Sequence, residues 1–269
     1  MTAVTSGASP RAGGSATRTP EGAAELSGST ALVTGGTSGI GRATAVALAG
    51  LGAHVVLSGR DAGRGAEAVG KIRAAGGKAD FVAADLKDAA SARALAARAR
   101  EVGGPIDVLV NNAGVFPTGP TPGFPEADFD AVFTTNVKVP FYLVAELAPE
   151  MAARGHGAIV NVSTIVASAG MAGMAPYGAS KAAIELMTKA WAAEFGPSGV
   201  RVNAVSPGPT RTEGTAAFGD GLDDLAAAGP AGRVAAPEEI AAAIAFLAAG
   251  DASFVHGAVL PVDGGRLAV

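Results

Sequence analysis

From about residue 27 onward, short apolar runs alternate with longer Ala-rich stretches. "TALVTG", "HVVLSG", "KADFVAAD" and "IDVLVNNAG" have the length and β-branched content of buried strands. The segments between and after them have helical spacing: "GIGRATAVALAGLG", "DAGRGAEAVGKIRAAGG", "AASARALAARAREVG" and a long stretch over 125–151. Pro140 falls inside that stretch and is expected to bend or interrupt it, because proline lacks an N–H and crowds the preceding turn. Three more strands are predicted at "GAIVNVST", "VRVNAVSPG" and "GAVLPVDGG". Helices are predicted at "APYGASKAAIELMTKAWAAEFG" and at "PEEIAAAIAFLAAG", whose Pro237 suits a first turn. Residues 210–232 have weak periodicity and scattered glycines, and are expected to form an irregular loop.

Strands alternating with helices of this length predict an α/β fold. The expected form is a single doubly wound Rossmann-type domain, a seven-stranded parallel sheet with helices on both faces. Right-handed crossovers then place a ligand beyond the carboxyl ends of the strands. No repeat or linker breaks residues 27–269, so one domain is expected there. Residues 1–26 are small, polar and turn-forming, without the apolar core of a secretory signal, and predict a disordered tail.

Composition narrows the chemistry. The 269 residues include no cysteine, which excludes disulfides, thiolate catalysis and cysteine-bound metal. His54, His156 and His256 are scattered without ligand spacing, so no metal is expected. A net charge of −4 with interspersed signs and no basic stripe argues against a nucleic-acid partner. The longest uncharged run, 155–180, is broken by polar residues and Pro176, so no membrane span is expected. The lack of cysteine fits a reducing interior, and a cytoplasmic place is expected.

The glycine-rich "TGGTSGIG" at 34–41 joins the first strand to the first helix. Gly35 allows a tight turn, Gly39 a close approach of backbone to pyrophosphate, and Gly41 close packing of helix on strand. The helix start offers free N–H groups and a positive dipole end to phosphate. The spacing is T-G-x-x-x-G-x-G. With "NNAG" at 111–114, Y-x-x-x-K from Tyr177 to Lys181 and "SPG" at 206–208, the chain resembles the short-chain dehydrogenase/reductase family. Its flavour is that of the 3-oxoacyl-carrier-protein reductases and related ketoreductases.

The resemblance implies a cofactor cradle of Gly35, Thr37, Ser38, Gly39, Ile40 and Gly41. It extends along Asp85 and Leu86 to Asn112, Ala113 and Gly114, and then to Pro207, Gly208, Thr210 and Thr212. Asp85 matches the residue that bonds the adenine amino group, and also reads as a helix N-cap. Thr212 is expected at the nicotinamide carboxamide. Asn111 is given a structural role. In "LSGRD", Gly59 takes the place of the acid that would bind a ribose 2′-OH, and Arg60 follows, which suits a 2′-phosphate. NADP(H) is therefore the preferred cofactor, with NAD(H) the alternative.

Reduction of a carbonyl needs a proton donor, and a free tyrosine, with a pKa of roughly 10, gives up its proton reluctantly. Tyr177 and Lys181 share a helix face, so the ammonium is expected to lower the phenol's pKa. The resemblance implies that Lys181 also binds the nicotinamide ribose, and that Asn136 supports a proton relay. The substrate-orienting hydroxyl, thirteen residues before Tyr177, falls on Thr164, with Ser163 as the alternative. The expected activity is NADPH-dependent reduction of a ketone, of 3-oxoacyl type among others, to a secondary alcohol. Its rivals are an NAD-dependent alcohol or sugar dehydrogenase running in the oxidative direction, and a non-catalytic cofactor sensor. Residues 210–232 are read as a substrate lid, with Phe218 and Leu222 as contacts. The resemblance further implies a homotetramer, since relatives pair helices and C-terminal strands.

Overall fold

The computed structural model describes residues 25–269. Its strands are β1 (Thr30–Thr34), β2 (His54–Gly59), β3 (Lys78–Ala83), β4 (Val108–Asn111), β5 (Gly157–Val162), β6 (Val200–Pro207) and β7 (Val259–Val262). They form one seven-stranded parallel sheet in the order β3-β2-β1-β4-β5-β6-β7. The chain steps outward from β1 to β3, then returns to the other side of β1 with β4. At that reversal the connections leave in opposite directions and a crevice opens at the strand ends.

The helices are α1 (Gly39–Gly50), α2 (Ala62–Ala74), α3 (Ala89–Gly103), α4 (Glu126–Phe133), α5 (Val139–Arg154), α6 (Ala175–Phe195), α7 (Gly221–Ala227) and α8 (Pro237–Ala248). Successive strand side chains point to opposite faces, and both faces are apolar. Ala31, Val33, Val55 and Leu57 pack under α1, α2 and α8. Leu32, Val56, Leu109 and Ile159 pack under α3, α5 and α6. This double burial explains why the strands read as continuous apolar runs rather than alternating ones.

Three expectations change. The predicted helix over 125–151 is α4, then a π-helical turn at Thr134–Lys138, then α5. The interruption expected of Pro140 falls in the turn just ahead of it, which includes Asn136, the residue whose carbonyl its ring would crowd in an α-helix; Pro149 lies inside α5. The expected irregular loop at 210–232 contains a 3₁₀ turn (Ala216–Phe218) and α7. Leu26, placed in the expected tail, is buried in the core and donates its N–H to the Leu51 carbonyl at 2.8 Å. Residues 1–24 of that tail lie outside the described residues.

Candidate active site

Between β1 and α1 the backbone needs glycine. Gly35 and Gly39 have φ of +63° and +47°, where a side chain is strained. A Cβ on Gly41 would collide with the Gly35 carbonyl oxygen and the Asn112 amide. The helix start already holds an anion: the Gly39 N–H donates to Glu213 Oε2 at 2.9 Å, and Glu213 Oε1 pairs with Arg42 Nη2 at 2.9 Å. Burial pushes the Glu213 carboxyl up, but backbone N–H groups and Arg42 outweigh it and hold the group below its usual range. A carboxylate thus stands where the N-terminus of α1 would receive a phosphate, which shows that the cradle accepts negative charge.

At the end of β2, a Cβ on Gly59 would lie 2.8 Å from Thr37 Cγ2, so a larger residue there would have to displace the Thr37 side chain. Asp61 turns away to cap α2, accepting from the Arg64 N–H at 3.0 Å and Arg64 Nε at 3.2 Å. Arg60 is exposed, borders the cleft and has no carboxylate partner among the described residues. Asp85 is not a helix cap. That place belongs to Asp88, which accepts from the Ser91 N–H at 2.7 Å. Asp85 borders the cleft beside Leu86.

The ends of β1 and β4 are tied together. Thr34 Oγ1 accepts from the N–H groups of Asn112 and Ala113, each at 3.0 Å. Asn112 Nδ2 donates to the carbonyls of Thr34 and Gly35. Asn111 donates to Asn161 at 2.9 Å and Asn161 to Thr188 at 2.8 Å, a buried chain joining β4, β5 and α6.

Ala175 and Pro176 open α6, which places Tyr177 in its first turn and Lys181 one turn later. Lys181 Nζ donates to the Val162 carbonyl at 2.7 Å and lies 6.0 Å from the Tyr177 ring centre. The expected lowering of the phenol's pKa is not what this geometry produces. Part of Tyr177 faces the cleft, yet burial pushes its phenol up to about 12, with a hydrogen bond to Thr164 pulling the other way. Burial likewise pushes the Lys181 ammonium down to about 8. Desolvation opposes the charged form of both groups, and the ammonium is engaged by a carbonyl rather than by the phenol.

Regular strand ends at Val162, so the next two side chains diverge. Ser163 Oγ is taken by Glu185 Oε1 at 2.6 Å, whereas Thr164 faces the cleft beside Tyr177 and accepts from the Val166 N–H at 3.3 Å. Asn136 is buried in the π-helical turn. It accepts from the Val115 N–H and donates to the Val115 carbonyl, both at 2.9 Å, and to Ser180 Oγ at 3.0 Å. Ser180 in turn donates to the Tyr177 carbonyl at 2.7 Å.

These groups border one cleft of about 750 Å³. Every expected cofactor residue lines it, as does Thr164; Asn136 stands behind it, against Gly114 and Lys181. Sequence reasoning missed Arg64, Phe116, Met171 and Met174 as lining residues, and treated Glu213 only as loop charge. Phe116 follows "NNAG" by two positions, a usable signal; the two methionines had none.

A switch-point cleft with a phosphate cradle at one end and a tyrosine, a lysine and a hydroxyl at the other defines a Rossmann-type oxidoreductase. A family model described as Enoyl-(Acyl carrier protein) reductase matches residues 35–266. The chain is 43% identical over 242 residues to cis-4-hydroxycyclohexanecarboxylate dehydrogenase of Sinomonas cyclohexanicum, covering 89% of this chain and 96% of that one. It is 40% identical over 244 residues to gluconate 5-dehydrogenase of Gluconobacter oxydans, covering 89% and 95%. A solved short chain dehydrogenase/reductase family protein superposes with a TM-score of 0.85 at 53% identity, covering 91% of this chain and 100% of that one. A gluconate 5-dehydrogenase from Burkholderia cenocepacia, solved with NADP and tartrate, superposes with a TM-score of 0.86 at 34% identity, covering 92% and 98%. The chain belongs to the short-chain dehydrogenase/reductase family.

Proposed function

We propose that this chain is an NADP(H)-dependent reductase that converts a ketone to a secondary alcohol. The observation that carries the reading is the placement of Tyr177, Thr164 and Lys181 together on the wall of the cleft, at the opposite end from the glycine loop. A phenol protonated at neutral pH is a proton donor, as reduction requires.

The cradle from Gly35 to Gly41 would hold the pyrophosphate and Arg60 the 2′-phosphate, while Gly59 supplies no acid for a free ribose 2′-OH. The bound nicotinamide supplies hydride to the carbonyl carbon. Tyr177 gives its proton to the oxygen as negative charge grows there, and Thr164 donates a hydrogen bond to the same atom. Lys181 stabilises the phenolate left behind and binds the ribose. Asn136 fixes the Val115 loop and the first turn of α6, and supports return of the proton from solvent. The oxidative reading would use the same residues in reverse. Asp220, Asp223 and Asp224 make the lid acidic, which disfavours an acidic carrier protein as the substrate's bearer. Among the described residues no helix is long and apolar enough to cross a membrane, and a cytoplasmic place fits this reading.

The test is Tyr177→Phe. Turnover of NADPH with ketones should fall by about 10²–10⁴-fold. Nicotinamide fluorescence should show NADPH still bound, and bound more tightly than NADH. Retained turnover, or tighter binding of NADH, overturns the proposal.

A further inference from the structure

The substrate end of the cleft is walled unlike its cofactor end. Phe116 lies 5.7 Å from the Tyr177 ring, tilted by 55°, and stacks on Phe218 at 6.4 Å with the planes 16° apart. Met171 and Met174 add apolar surface ahead of α6, and Leu222 adds it from α7. Aromatic faces and thioethers gain by covering apolar rings and offer almost nothing to hydroxyls.

Charge is absent where a sugar acid would need it. The charged side chains bordering the cleft are Arg60, Arg64, Asp85, Lys181 and Glu213. The first three stand at or beyond the ends of β2 and β3, on the far side of β1 and β4 from Tyr177. Glu213 is engaged by Gly39 and Arg42, and Lys181 by the Val162 carbonyl. The one cation bordering the cleft near Tyr177 among the described residues is Lys181, buried against the Val162 carbonyl and assigned above to the phenolate and the ribose. The hydroxyls on this side are mostly spoken for: Ser163 is taken by Glu185, and Thr210, Thr212 and Thr215 bond to one another and to their own loop backbone, while Thr164 and Tyr177 are committed to the reacting oxygen. A polyhydroxylated acid would lose water from several polar groups and find no replacement partners.

We propose, resting on the reading of this site as a ketone reductase, that the Phe116–Phe218 wall selects an uncharged ketone carried on an apolar ring and rejects polyhydroxylated acids. Initial rates with NADPH and the full chain, using cyclohexanone and 5-ketogluconate, test it. The kcat/KM for cyclohexanone should be higher by at least about tenfold. Phe218 is 40% exposed, so Phe218→Ala should fold. That variant should raise the KM for cyclohexanone by about fivefold. Equal or better use of 5-ketogluconate overturns the proposal, and so does an unmoved KM in Phe218→Ala. A second measurement separates this from failure of the reductase reading. Both ketones are titrated into the NADPH complex of Tyr177→Phe and followed by nicotinamide fluorescence. Tighter binding of cyclohexanone upholds the wall whether or not the wild type turns either ketone over. Tighter binding of 5-ketogluconate, or binding of neither, overturns it.

Discussion

Lys181 carries its charge at a cost. Its ammonium is pushed from 10.5 down to about 8, so between those values the unfolded chain holds more protons than the folded one. Stability from this group therefore rises with pH from about 8 to 10.5, and the full penalty, on the order of 3 kcal/mol, applies below 8. In cofactor-free protein, Lys181→Met should be more stable than wild type at pH 7, and the gap should close as pH rises toward 10.5. Urea unfolding at several pH values reads this; a gap independent of pH would contradict it. Tyr177 works in the opposite sense. Its folded value of about 12 exceeds 10, so its stabilising share is complete below pH 10 and is lost from there to 12. The positions of both residues were legible from helical spacing. The direction of the tyrosine's shift was not, because spacing reports proximity, whereas desolvation depends on what the rest of the fold places around the group. The choice of Thr164 over Ser163 likewise became physical only when Glu185, from the middle of α6, was seen to hold the serine.

Among the elements, residues 210–232 are linked to the start of α1 by a side chain whose charge would compete with a phosphate bound there. Glu213 Oε2 occupies the Gly39 N–H at the start of α1. Glu213→Gln keeps the shape and removes the negative charge from a helix N-terminus that would also receive pyrophosphate. NADPH should then bind about 2- to 10-fold more tightly, the range expected for one charge at a helix end. A fluorescence titration checks it, and weaker binding would show that the carboxylate clamps the cofactor instead of competing with it. Elements with strong periodicity, such as α1 and α8, were legible in the sequence. α7 was missed because seven residues are too few for a helical period to register. An interruption near Pro140 was legible, but its π-helical form was not, because nothing in "TTNVK" marks a change of hydrogen-bond step.

For the molecule as a whole, strand alternation foretold the parallel sheet and its switch point, since both follow from βαβ handedness. Assembly is another matter. Phe141 on α5, Leu186 on α6 and Phe254 ahead of β7 are 46%, 69% and 99% exposed. Large apolar groups left outside on two long helices and near the edge strand are what a homotetramer would cover. Light scattering should give four times the 26.0 kDa chain mass. Leu186→Arg should yield smaller species, and a monomeric wild type would rule the tetramer out.

The wide turn at Thr134–Lys138 makes chain length itself a constraint. A π-helical turn holds one residue more than an α-helical turn. Each residue of an α-helix advances by about 100°. Losing one codon in this turn would swing Asn136 and all of α4 around the axis relative to α5, and would leave Pro140 against an α-helical turn that its ring crowds. Every amino-acid type in the site would survive, yet the asparagine would leave Val115 and Ser180 behind. At this point a silent-looking deletion does more harm than most replacements, because what is inherited there is a phase as well as a residue.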